Sequence, residues 1–314
     1  MVDLANLLDA DPWFCMPPLA DDDLVRRFAE RVAARLEPER SPYVEVGNEL
    51  WNDIFDQHQW FNARGCEAYA DNPARDCDPD GNGVLCEYTA WNATQERCVQ
   101  HGRRYLAQRS VEVGRIWREA FEAHRPERVQ RVVASQIGGG EDWWIADLLE
   151  REVGGQPAHA QLDVVSVAPY FGGGFVPESV DDIFVRTERA GAEVYRLLAA
   201  RDSVYDWIQK DVRALARLGD SIRYVSYEGG QHLHHHEESR MAHVLRANAD
   251  PRMETLYGEY LTMWSQLTDD ALFVHFTSPS GWNQYGAWGS KAFQGQALED
   301  APKHRALLRY VSGH

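Results

Sequence analysis

The sequence has no apolar run approaching the ~18 residues that a membrane helix needs, so nothing in it reads as a membrane span. It has no basic surplus either. Its 49 acidic residues outnumber 32 basic ones, a formal charge of −17, which argues against a nucleic-acid partner because no excess cation is available to displace phosphate counterions. Met1-Val2-Asp3-Leu4 lacks the basic start and apolar segment of a signal peptide. Cysteine is scarce at five residues, and none forms the closely spaced C-x₂₋₄-C pair usual in small zinc sites. What is present is enough for a large core: 314 residues, 44% hydrophobic, read as one domain over 1–314. Eleven Trp and thirteen Tyr add many flat faces suited to sugar C–H surfaces.

One stretch organises the rest. In Tyr43-Val44-Glu45-Val46-Gly47-Asn48-Glu49-Leu50-Trp51-Asn52 a short buried strand over 43–47 is followed by polar groups at its carboxyl end. A carboxyl beside an amide and an indole suits sugar chemistry, which needs an acid for a glycosidic oxygen, a hydrogen-bonding neighbour and a flat surface. The second carboxyl comes far downstream in Arg223-Tyr224-Val225-Ser226-Tyr227-Glu228-Gly229-Gly230, again a β-rich run ending on glutamate.

An Asn-Glu ending one strand and a lone Glu ending a later one resemble the clan A glycoside hydrolases. The resemblance implies an α/β fold, a (β/α)8 TIM barrel, with the pair on its fourth and seventh strands. It also implies a retaining mechanism, with Glu49 as acid/base, Glu228 as nucleophile and Asn48 on the sugar's 2-hydroxyl. Tyr170 resembles the tyrosine that hydrogen-bonds the nucleophile. Trp288, or else Trp282, would form the floor under the reacting sugar, and Trp288 is preferred because small residues flank it. Trp13 and Trp51, each taken to end a strand, are expected on the cleft wall, and His232 is expected to line the cleft as well.

Strands are expected at 12–17, 43–47, 131–136, 162–170, 222–228 and 271–276. Helices are expected at 3–9, from Asp21 onward with Leu24, Val25, Phe28, Val32 and Leu36 inward, and at 101–124, 143–153, 180–199, 204–218, 253–267 and 303–311. Strands alternating with helices imply right-handed βαβ units on a parallel sheet. Six strands rather than eight place Glu49 and Glu228 correctly only if the first two βα units are missing, so the natural start is expected upstream of residue 1. The arginine that the family carries on those strands has no counterpart.

Cys66, Cys77, Cys86 and Cys98 crowd into residues 60–99, read as a disulfide-rich insertion after the fourth-position strand of an exported bacterial protein. Cys15 is expected to be a buried free thiol. Within the insertion, Asp76, Asp78, Asp80, Asn82 and Glu87 alternate around glycines as oxygen ligands would around Ca²⁺. Starting at Asp76 gives EF-hand spacing but puts Gly83 at an apolar position. Starting at Asp78 puts Leu85 there and resembles the excalibur calcium-binding motif of bacterial extracellular proteins, which is preferred. That resemblance implies Cys66 with Cys86, leaving Cys77 with Cys98. Zinc on the four thiols is the rival.

The sequence expectation is therefore a secreted retaining glycosidase acting on a β-linked polysaccharide or oligosaccharide, endo-acting, with no cofactor for catalysis and a structural Ca²⁺. Two alternatives differ in class: a non-catalytic carbohydrate-binding protein on a degenerate barrel, and a metal-dependent hydrolase using His232, His234, His235 and His236. Adjacent His235 and His236 point apart on any regular backbone, which weighs against a site using all four.

Overall fold

The computed structural model describes residues 1–78, 80–87, 92–140, 146–219 and 222–313. Short runs rich in β-branched and aromatic residues form the strands β1 (Trp13–Met16), β2 (Tyr43–Val46), β3 (Gln130–Ala134), β4 (Val164–Val167) and β5 (Arg223–Ser226). They are hydrogen-bonded in that order. The registered neighbours β1–β2, β2–β3 and β3–β4 are all parallel, as βαβ units require. The chain divides into two compact units, Met1–Ser166 with Ala214–Arg223, and Val167–Arg213 with Tyr224–His314.

In the first unit α1 (Val2–Leu8), α2 (Asp22–Ala33), α3 (Asp56–Tyr69) and α4 (Ala93–Ala120) accompany the strands. Period-two alternation sends Phe14 and Val44 to one face of the sheet, where Phe14 meets Phe28 and Trp117 at ring distances of 5.4 and 5.6 Å. Ile116, Trp117 and Phe121 are fully buried there, each such side chain contributing about 1.5–3 kcal/mol. The Asp21 carboxylate caps α2 by accepting from Leu24 N at 2.8 Å. Its buried stripe is Val25, Ala29 and Val32; Leu24 and Phe28, expected inward, are 44% and 38% exposed because they sit at the edges of that stripe.

Helix α4 starts earlier than its apolar stripe suggests, at Ala93, because the Asn92 side chain caps Thr94 N and Gln95 N. Helix α3 was not expected from periodicity. It packs on α4 through Gly65 and Gly102: a Cβ on Gly65 would lie 2.2 Å from His101 O, and one on Gly102 would lie 1.9 Å from Asn62 Oδ1. Only glycine permits that approach. The start of the helix expected over 143–153 lies outside the described residues up to 145. Beyond it, Ala146–Leu148 is one turn, and Glu152–Val153 pairs antiparallel with Gln156–Pro157.

In the second unit the helices are α6 (Glu238–Ala249), α7 (Arg252–Thr268) and α8 (Pro302–Ser312), preceded by α5 (Val204–Leu215), whose last two residues belong to the first. The helix expected over 180–199 is largely a hairpin, Arg186–Arg189 against Ala192–Tyr195. Ala190 and Gly191, at φ 53° and 81°, turn the chain in the manner of a primed turn, and this overrides the helical pattern. The strand expected over 271–276 lacks a regular ladder, although Ser226 N donates to Leu272 O and Phe276 N to Gly229 O. Helix α6 was also not expected.

Candidate active site

The two glutamates belong to different units. Glu49 follows β2, is 9% exposed and holds a left-handed backbone at φ 52°, a conformation that costs a non-glycine residue about 1 kcal/mol and is often kept for function. The Asn52 side-chain amide donates to Glu49 Oε2 at 2.8 Å. Asn48 is exposed, and the Gln57 side chain donates to its carbonyl. Trp51 lines a cavity of about 40 Å³ with His58, Phe61 and Arg103. Burial in this part of the first unit lowers the His58 pKa.

Two expectations for this unit need correction. Trp13 begins β1 rather than ending it, and it stacks at 4.9 Å on Tyr43, the first residue of β2. It therefore lies at the amino ends of the strands, opposite the end from which Glu49 emerges. Cys15, expected buried, is exposed and outside the disulfides; its thiol contacts Glu45 Oε2 at 3.8 Å. Glu45, unremarked in the sequence, is 2% exposed and accepts from Trp13 Nε1 at 2.9 Å.

Glu228 sits just past β5 in the second unit. The Tyr170 hydroxyl, just past β4, donates to Glu228 Oε1 at 3.0 Å. Helix α7 fixes both loops from behind: the Tyr260 hydroxyl donates to Pro169 O, and the Tyr257 hydroxyl accepts from Gln231 N at 3.0 Å. At Gly230, φ 145°, a Cβ would meet that Tyr257 hydroxyl at 3.0 Å, so the turn after the glutamate needs glycine.

An aromatic wall continues from Tyr170. Its ring is 5.5 Å from that of His232, which is 5.7 Å from Trp288, and Trp288 Nε1 donates to His232 Nδ1 at 3.3 Å. Trp282 is tied into the same loop. Its Nε1 donates to Gly289 O at 2.8 Å while Lys303 Nζ lies 4.7 Å from the centre of its ring. Lys303 is wholly buried, donates to Ala287 O, and burial pushes its pKa well down. Burial also pushes His275 down to about 3.

A cleft of about 320 Å³ opens beside Tyr170, lined also by Phe175, Arg196 and Trp207. Trp207 was not singled out in the sequence because it sits within the helical pattern of α5. A larger cavity of about 680 Å³, between the 186–195 hairpin and α7 and α8, includes none of the candidate catalytic residues.

In the insertion, Cys66 is bonded to Cys77 and Cys86 to Cys98, which corrects the pairing of Cys66 with Cys86 and Cys77 with Cys98. Asp76 turns away from the acidic loop: Arg75 Nε donates to it at 2.8 Å, and Asn72 N at 3.2 Å. Asp78 accepts from Asn82 N and Gly83 N, and the Asn82 amide spans to Asp80 at 3.3 Å and to Glu87 at 2.8 Å. These groups form one turn, with the amide rather than a shared point joining their carboxylates. Among the described residues, the one group of three or more His, Cys, Asp or Glu close enough to share an ion is the four cysteines; the histidines at 232–236 do not form one. No helix among the described residues is long and apolar enough to cross a membrane.

No family model matches the sequence, and no curated protein matches it. Solved structures that resemble it include the GH5-4 broad specificity endoglucanase from Bacteroides salanitronis, at 13% identity and a TM-score of 0.41. That likeness covers 92% of this chain, which spans 62% of the endoglucanase's length. A GH5 xyloglucan-specific endo-β-1,4-glucanase from a metagenomic library, in complex with cellotriose, is similar at 13% identity over 97% of this chain and 86% of its own, with a TM-score of 0.34. Fungal β-1,4-galactanases are similar at 12% identity over 94% and 86%, with a TM-score of 0.38.

Proposed function

We propose that the chain is a retaining glycoside hydrolase acting on a β-linked polysaccharide or oligosaccharide. Glu228 attacks the anomeric carbon while Glu49 protonates the leaving glycosidic oxygen. Glu49 then deprotonates a water that releases the sugar from Glu228. Such a mechanism needs the two carboxyls about 5–5.5 Å apart, one ionised and one protonated. The single observation that carries the reading is the Tyr170 hydroxyl on Glu228 Oε1, a donor that stabilises the ionised nucleophile beside an aromatic wall. Asn48 is assigned to the 2-hydroxyl, and Trp288 and His232 to the sugar's flat face. Endo action is part of the proposal, as is export, with which the two disulfides are compatible.

The acidic loop is proposed to bind Ca²⁺ in the register from Asp78, with Asp80, Asn82 and Glu87. The turn that Asp78 makes with Asn82 and Gly83 supports this register over the one from Asp76.

The test is hydrolysis of soluble β-glucans, xylans and mannans by the parent and by Glu49→Gln and Glu228→Gln, with products separated by chromatography and their anomeric configuration followed by NMR. Cleavage by the parent with retained configuration, lost in both variants, is the expected result. Binding of a glycan without cleavage would instead make the protein a carbohydrate-binding module.

A further inference from the structure

The spacing of Cys66, Cys77, Cys86 and Cys98 does not look like a metal site, but their placement does. All four sulfurs lie within 4.8 Å of one another, and the four residues are at most 1% exposed. Across the two bonds, Cys66 Sγ is 3.4 Å from Cys86 Sγ and 3.9 Å from Cys98 Sγ. Two ordinary structural bridges need not share one point. A Zn²⁺ ion bound by four thiolates at about 2.3 Å sets its sulfurs about 3.8 Å apart, close to these cross-pair separations.

The residues that gather the sulfurs are also held by contacts other than the sulfur bonds. Cys66 is on α3 beside Gly65, and Cys98 is on α4 one turn before Gly102, the two glycines whose bare backbones bring these helices together. Cys77 and Cys86 are joined by a backbone hydrogen bond, Cys86 N to Cys77 O at 2.8 Å. Ala70 and Leu85 pack against the cluster. Opening the two bonds without moving these contacts would leave four buried thiols close to one another.

We propose that Cys66, Cys77, Cys86 and Cys98 form a tetrahedral zinc site when reduced, so that the insertion is held by two disulfides in an oxidising setting and by Zn²⁺ in a reducing one. A dithiol or phosphine supplies two electrons to each disulfide, and two protons per bond complete four thiols. Binding Zn²⁺ then releases four protons as the thiols become thiolates. Soft thiolate ligands separate this site from the oxygen-lined loop at Asp78, which favours hard cations.

The test titrates Co²⁺, then Zn²⁺, into the whole protein reduced by a phosphine under anaerobic conditions. Expected are one Co²⁺ per chain with the intense visible bands of tetrahedral thiolate coordination, their loss on adding Zn²⁺, and at least tenfold weaker binding in Cys77→Ser and in Cys86→Ser. The oxidised protein should show no such bands. Zn²⁺ should also raise the unfolding temperature of the reduced protein and leave that of the oxidised protein unchanged. Absence of the bands in reduced protein, their survival in both variants, or no Zn²⁺-dependent stabilisation would overturn the proposal, whether or not the protein cleaves a glycan.

Discussion

The Tyr170 hydroxyl donates to Glu228 Oε1 at 3.0 Å, joining residues that follow neighbouring strands β4 and β5. Each loop is tied in turn to a tyrosine of α7, so the pair is held by structure behind the cleft as well as by its own bond.

Tyr170→Phe removes one charge-assisted hydrogen bond and keeps the ring against His232. A donor lost to an ionised carboxylate is worth about 1.5–3 kcal/mol, so kcat should fall about 10- to 100-fold. The carboxylate also becomes harder to ionise, and the acid limb of the kcat/KM profile should move to higher pH. A change in KM alone would remove Tyr170 from the nucleophile's support.

Lys303→Met keeps the volume of a buried chain and deletes its amine. Ala287 O still accepts from Gln231 Nε2, so no buried carbonyl is orphaned. Burial holds the lysine's folded pKa below its unfolded value, so the unfolded chain binds the extra proton and native stability rises with pH up to about 10.5. The variant should unfold on the order of 1–2 kcal/mol later at neutral pH, with the advantage shrinking towards pH 10. Denaturant titrations at both pH values decide it.

His275 titrates at about 3 because it is buried, with Lys303 and His304 adding repulsion. The unfolded chain takes up its proton near 6.5, so stability is lost as pH falls from about 6.5 towards 3. His275→Asn should remove on the order of 1–2 kcal/mol of that acid loss, read from unfolding at pH 7 and pH 4.5. An unchanged pH slope would show that other groups carry it.

Calcium should stabilise the protein by about 2.7 kcal/mol at a hundredfold excess over its Kd, and a chelator should reverse this. Asp78→Asn should abolish the shift. Asp76→Asn should leave it intact, because Asp76 faces Arg75. Loss of the shift in Asp76→Asn alone would restore the EF-hand register.

The sequence alone determined the parallel αβ succession and the polar residues at the strand ends. Local alternation and helical spacing encode which face is buried, and they do so at Val44, Val46, Ile116 and Trp117 without reference to distant residues. It also pointed to Tyr170 and Trp288, through a resemblance carried by a few residues. Tertiary structure decided what depends on convergence across the chain. Glu45 is buried where Trp13 on the neighbouring strand donates a hydrogen bond to its carboxylate, and Trp13 itself falls at the amino end of β1 because register, not composition, sets where a strand begins. Helix α3 exists against a weak apolar pattern because Gly65 and Gly102 let it dock on α4. The cysteines show the difference most plainly: their spacing fixes no pairing, whereas the packing of two helices, one backbone hydrogen bond and the two disulfides bring all four sulfurs within 4.8 Å of one another.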